Sequence, residues 1–67
     1  MKVKVNSKNV ELQQGNQLLI LLKNLSLEER KGIAVAVNAE VIPRRHWQQH
    51  ELNENDEVII IEATQGG

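Results

Sequence analysis

The sequence predicts an α+β fold: a mixed sheet of about five strands with one main helix packed on one face. Three observations point to it. Short runs rich in β-branched residues recur at both ends and in the middle of the chain. Only one stretch carries helical spacing, at Leu18, Leu21, Leu22 and Leu25. Turn-forming residues separate these segments, so no run is long enough to be anything but a short element.

The elements follow in order. Val3 and Val5 alternate with Lys2, Lys4 and Asn6, the pattern of a half-buried strand. Asn6-Ser7-Lys8-Asn9 supplies turn residues, and Val10-Glu11-Leu12 alternates again, which predicts an N-terminal hairpin. Gln14-Gly15-Asn16 breaks that pattern. The leucines at i, i+3, i+4 and i+7 from residue 18 then form one apolar stripe, with Asn16 as the expected N-cap. Leu19 and Ile20 broaden the stripe, as a helix sealing a small sheet requires. Residues 26–32 are mostly polar and end in glycine, the mark of a helix end and loop.

Ile33-Ala34-Val35-Ala36-Val37 is β-branched at every other position and reads as a central strand with Ile33, Val35 and Val37 inward. Asn38-Ala39 is a turn. Glu40-Val41-Ile42 is a short strand stopped by Pro43, which has no N–H for a ladder. Residues 44–52 connect, and Asn53-Glu54-Asn55-Asp56 turns the chain into Val58-Ile59-Ile60-Ile61, the strongest strand signal present. A central last strand can pair in parallel with the first and join the N-terminal hairpin to the later strands. This is the β-grasp arrangement of ubiquitin-like folds. Residues 1–63 form the expected domain, and Thr64-Gln65-Gly66-Gly67 an expected flexible C-terminal tail.

Composition narrows the function classes. A chain of 67 residues buries only about 60% of the surface its unfolded form exposes, which leaves little room for a deep cleft. There are no cysteines, hence no disulfide scaffold, thiolate metal site or cysteine nucleophile in these residues. The longest apolar runs, at residues 18–22 and 33–37, are too short to span a bilayer. No signal peptide is read at the start, so a cytoplasmic location is expected. All eight Lys and Arg lie in residues 1–45, whereas residues 46–67 hold five acids and no Lys or Arg. That acidic third argues against nucleic-acid binding through this end and could steer the chain to a basic partner.

Few side chains suggest chemistry of their own. His46 and His50 are four apart, but zinc sites usually need three or four protein ligands, and surface histidines are the better reading. Arg44-Arg45 beside Trp47, the single aromatic residue, is a weak phosphate or base signal; Trp47 is expected at the edge of the core. Glu54, Asp56 and Glu57 match no calcium-loop pattern. Ser7, Ser26 and Thr64 have no visible partner base. No metal site, bound cofactor or self-contained enzyme is expected.

The terminus remains. Gly66-Gly67 follows the strongest strand through a short polar tail. A carboxylate is a poor electrophile, because its charge repels nucleophiles and its leaving group is bad. Transfer of AMP makes it a mixed anhydride that sulfur can attack. Two residues without Cβ let an extended backbone thread a narrow channel. Gly67 is thus the candidate reacting residue, and Gly66, Gln65 and Thr64 the threading tail. The attacking sulfur must come from elsewhere.

The sequence resembles the ThiS family, the sulfur-carrier proteins of thiamine biosynthesis, over essentially its whole length. The carrying segments are Ile33-Ala34-Val35-Ala36-Val37-Asn38, then Ile42-Pro43-Arg44-Arg45-His46-Trp47 against the family's Val/Ile-Pro-Arg-x-x-Trp, then Asn55-Asp56-Glu57-Val58-Ile59-Ile60-Ile61, and Gly66-Gly67. The resemblance implies a β-grasp fold and a carrier that is consumed and regenerated rather than a catalyst. It implies adenylation of Gly67 by a ThiF-like adenylyltransferase using ATP and magnesium, and conversion to a thiocarboxylate. The sulfur donor would be of the cysteine desulfurase persulfide kind, and a ThiG-like thiazole synthase would receive the sulfur. Ala39 and Asn55 stand where that family often has glycine. The Asn exchange is mild, whereas Ala39 suits positive φ less well.

Alternation also suggests a docking surface. If Val58 and Ile60 face the helix, then Ile59, Ile61, Ala34 and Ala36 share the open face as a flat apolar patch, expected to dock the partner enzymes. Three other readings stay open at this level: the related sulfur carrier of molybdenum-cofactor synthesis, a modifier joined to lysines through Gly67, and an interaction module with an incidental Gly-Gly end.

Overall fold

The computed structural model describes residues 1–63. Strands β1 (Lys2–Val5) and β2 (Lys8–Glu11) are followed by helix α1 (Leu18–Asn24). Strands β3 (Ile33–Val37) and β4 (Glu40–Val41), a 3₁₀ turn at Arg44–His46, and β5 (Glu57–Glu62) complete the described residues. The sheet has five strands in the order β2-β1-β5-β3-β4. Among the described residues only the β1/β5 pairing is parallel, with Lys4 opposite Glu57 and Val5 opposite Val58. The mixed sheet with a central last strand is the predicted β-grasp.

Both hairpins turn on two residues. Asn6 and Ser7 have φ of 49° and 72°, between the paired Val5 and Lys8. Asn38 and Ala39 have φ of 51° and 71°, between the paired Val37 and Glu40. Two consecutive positive φ values give the primed turn whose twist matches the flanking strands. The first turn is thus shorter than the four residues expected, and β2 begins at Lys8. Ala39 sits in a conformation that crowds its Cβ.

The helix differs from expectation at its start. Its N-cap is Gln17, not Asn16, and no side chain caps it. The N–H groups of Leu18 and Leu19 donate instead to the carbonyls of His50 (2.8 Å) and Trp47 (3.1 Å). Carbonyls from the 44–52 connection therefore satisfy donors that an Asx side chain would otherwise take. The helix spans seven residues and ends before Leu25, which forms its C-cap. An isolated helix this short is not stable in water, so it exists because its leucines pack.

The core sits between α1 and one face of the sheet. Leu18, Leu21 and Leu22 from the helix meet Val3, Val5, Val35, Val37 and Val58 from the strands, with Leu12, Ile42, Trp47 and Leu52 closing the ends. Ile33, Ile60 and Leu25 are half-buried against it. Trp47 is buried, and its indole N–H donates to the Ile42 carbonyl at 2.8 Å. Buried Asp56 accepts from the Asn53 N–H (2.8 Å) and from Asn38 Nδ2 (2.9 Å), tying the β3–β4 turn to the start of β5.

Candidate functional site

The two central strands decide which side chains reach solvent on the open face. β3 and β5 run antiparallel with Ala34 opposite Ile61 and Ala36 opposite Ile59. Alternation sends these four residues to the face away from the helix, as the sequence predicts, while Val35, Val37 and Val58 go inward. Val41 of β4 lies opposite Ala36 and extends that row. Ile59 is 36% exposed, Ile61 62% and Val41 69%. Strand spacing makes the row Val41, Ala36, Ile59 about 10 Å wide. The alanines between larger side chains keep the relief low.

Towards β1 and β2 the same face becomes charged. Lys4 lies opposite Glu57, and Lys2 opposite Glu11. The face is therefore apolar over β4, β3 and the end of β5, and ionic elsewhere. Of the acids in the last third, Asp56 is engaged with Asn38 and Asn53, Glu62 pairs with Arg30, and Glu54 accepts the Lys2 N–H at 3.2 Å. Part of the acidic surplus is thus used within the chain.

The end of β5 adjoins this apolar region, and the chain leaves the sheet there. Asn6 extends the sheet with its side chain: Nδ2 donates to the Ile60 carbonyl (3.1 Å) and Oδ1 accepts the Ile60 N–H (2.8 Å). On the β3 side, the Ala63 N–H donates to the Gly32 carbonyl at 2.8 Å. Arg30 Nη1 lies 2.6 Å from Glu62 Oε2. The candidate reacting residue Gly67 and the threading residues Gly66, Gln65 and Thr64 lie outside the described residues.

The remaining sequence candidates take structural places. Arg44 stacks over Trp47, 4.5 Å from the ring centroid. It donates to the carbonyls of Glu28 (3.2 Å) and Arg30 (2.7 Å). His46 is exposed and His50 half-buried, and among the described residues no group of three or more His, Cys, Asp or Glu is placed to hold a metal. Among the described residues no helix is long and apolar enough to cross a membrane. Sequence reading missed Val41 as a patch member; in the fold Ile42 is buried and Val41, one position away, is exposed. It also missed Asn6 and Arg44, whose partners lie 54 and at least 14 residues away.

Comparison with known proteins agrees with this geometry. The sulfur carrier protein ThiS of Escherichia coli (strain K12) is 27% identical over 67 residues, which is all of both chains. The crystal structure of a thiamine biosynthesis protein (ThiS) from Geobacter metallireducens superposes with a TM-score of 0.81 at 23% identity, covering all of both chains. An NMR solution structure of a thiamine biosynthesis protein from the same organism gives 0.78 at 25% identity, covering all of this chain and 88% of the other. The ThiS family model matches residues 2–67, from the first strand through both terminal glycines, and the chain belongs to the ThiS family.

Proposed function

We propose that this protein is a sulfur carrier for the thiazole branch of thiamine biosynthesis, with Gly67 as the residue that bears the sulfur. The observation that carries the reading is the extent of the family match. It runs to residue 67, so the matched region includes the terminal glycines.

The chemistry follows from the terminus. A ThiF-like adenylyltransferase, using ATP and magnesium, joins the Gly67 carboxylate to AMP and releases pyrophosphate. A sulfur nucleophile then attacks the acyl carbon and expels AMP. With a cysteine desulfurase persulfide as the source, a thiol next cleaves the acyl–S–S bond and departs as a disulfide. The thiocarboxylate left on Gly67 donates its sulfur to a ThiG-like thiazole synthase, and the carboxylate is regenerated. The chain is thus a co-substrate of its partners and works in the cytoplasm. Gly66, Gln65 and Thr64 thread into the partner. Ile59, Ile61, Ala34 and Ala36, with Val41, form the surface on which the partner enzymes dock in turn.

Intact-mass measurement tests the reading. After incubation with a ThiF-like enzyme, ATP and a persulfide donor, one oxygen of the chain is exchanged for sulfur, and deletion of Gly67 abolishes the change. An unchanged mass, with the enzyme active on another carrier, contradicts it.

A further inference from the structure

Among the described residues, the last residues of β5 have a strand neighbour on one side only, β3. Pairing with β1 ends at Val5 and Val58, and the Asn6 side chain reaches no further than Ile60. Ile61, Glu62 and Ala63 are exposed. An exposed strand end with so little burial frays unless something ties it down.

Beyond the β3 ladder, which pairs Ile33 with Glu62, the loop between α1 and β3 supplies a second tie. Gly32 accepts the Ala63 N–H, and Arg30 pairs with Glu62. Gly32 has φ of +78°, which lets the loop turn into β3 with its carbonyl towards Ala63. The loop is in turn fixed to the core, because Arg44, stacked on buried Trp47, holds the carbonyls of Glu28 and Arg30. Core, Trp47, Arg44, loop and strand end form one connected chain of contacts. Arg30 and Glu62 are about half exposed, and such a pair adds little to global stability. Its position at the last strand residue matters more than its energy.

We infer that the 28–32 loop is a bracket that fixes the root of the C-terminal tail, with Arg30 as a positioning residue for the reaction at Gly67. The inference rests on the carrier reading above. On the carrier reading, residues 64–67 are the tether from Ala63 to the reacting carboxylate. Release of Glu62 and Ala63 lengthens that tether by half, lowers the effective concentration of the carboxylate in the partner's site, and loosens its orientation.

The test uses the full chain with Arg30→Glu, Glu62→Arg and the double swap. Adenylation is followed by pyrophosphate release, and Ala63 amide exchange is read on the free protein. Each single swap lowers kcat at saturating carrier from about twofold, for tether length alone, to about tenfold if orientation is also lost. KM stays unchanged because the apolar face is untouched, and the Ala63 amide exchanges faster. The double swap restores kcat and exchange. Wild-type kcat in the single swaps, or no recovery in the double swap, overturns the bracket; the latter marks Arg30 or Glu62 as a direct partner contact. Should the wild-type chain itself not be adenylated, the carrier reading fails, and the exchange experiment still decides the bracket: unaltered Ala63 exchange in Arg30→Glu overturns it.

Discussion

The two faces of the central sheet come from alternate residues of the same two strands, and they differ in what covers them. In β3 and β5, Val35, Val37 and Val58 are buried against α1, while Ala34, Ile59 and Ile61 stand in solvent one position away. The fully buried inward residues are valines, flanked by half-buried Ile33 and Ile60, and they fill the space beneath the helix. The outward set alternates alanine with isoleucine across strands, which gives a flat surface with no helix upon it. Burial alone cannot account for two isoleucines and Val41 on a face where polar side chains would be cheaper to solvate. Their exposure fits a surface that another protein covers, and the covered face shows what this chain does when an apolar surface is its own to bury.

Substitutions on each face sharpen the contrast. Leu21→Ala truncates a fully buried helix side chain that packs on the covered face and costs about 2–5 kcal/mol. In so small a domain that is a large share of the total stability, so chemical denaturation finds the variant largely unfolded or much less stable. Trp47→Phe comes next, at about 1–3 kcal/mol, because the Ile42 carbonyl loses its buried donor and Arg44 part of its stacking platform. Urea unfolding shows a lowered midpoint with an unchanged slope. Ile59→Asp on the open face costs only about 1 kcal/mol, the span of strand propensity. A denaturation midpoint falling as far as in Leu21→Ala would show that Ile59 belongs to the core.

The smallest effect has the opposite sign. Ala39 adopts φ of 71°, which costs a Cβ-bearing residue roughly 1–2 kcal/mol. Glycine relieves this but loses about 0.4–1 kcal/mol through its freer unfolded chain. Ala39→Gly is therefore more stable by about 0.5–1 kcal/mol, a rise of about 4 °C in Tm by calorimetry.

Residue periodicity made much of this legible. Alternation in residues 33–37 and 58–61 placed both faces correctly, and the leucine spacing located the helix. The strained Ala39 could be suspected from its place after Asn38 in a two-residue turn. What escaped depends on partners distant in the chain. The helix start was misread because local sequence offers Asn16, whereas the actual acceptors are carbonyls of Trp47 and His50. Arg44 reads in sequence only as a weak phosphate or base signal, and only the tertiary fold brings it onto the 28–32 loop. The open-face residues Ile59, Ile61, Ala34 and Ala36 were legible as a face; Val41 joined them through β4 register, which a two-residue strand scarcely announces.

The most direct test of the contrast is the steady-state adenylation of Ile59→Asp by a ThiF-like enzyme, measured beside its thermal unfolding. The variant is expected to remain folded, with KM for the carrier raised at least about tenfold, as loss of a central apolar contact gives, and with kcat little changed. A folded Ile59→Asp protein adenylated with wild-type KM and kcat would contradict the claim that the open face is where the activating enzyme docks.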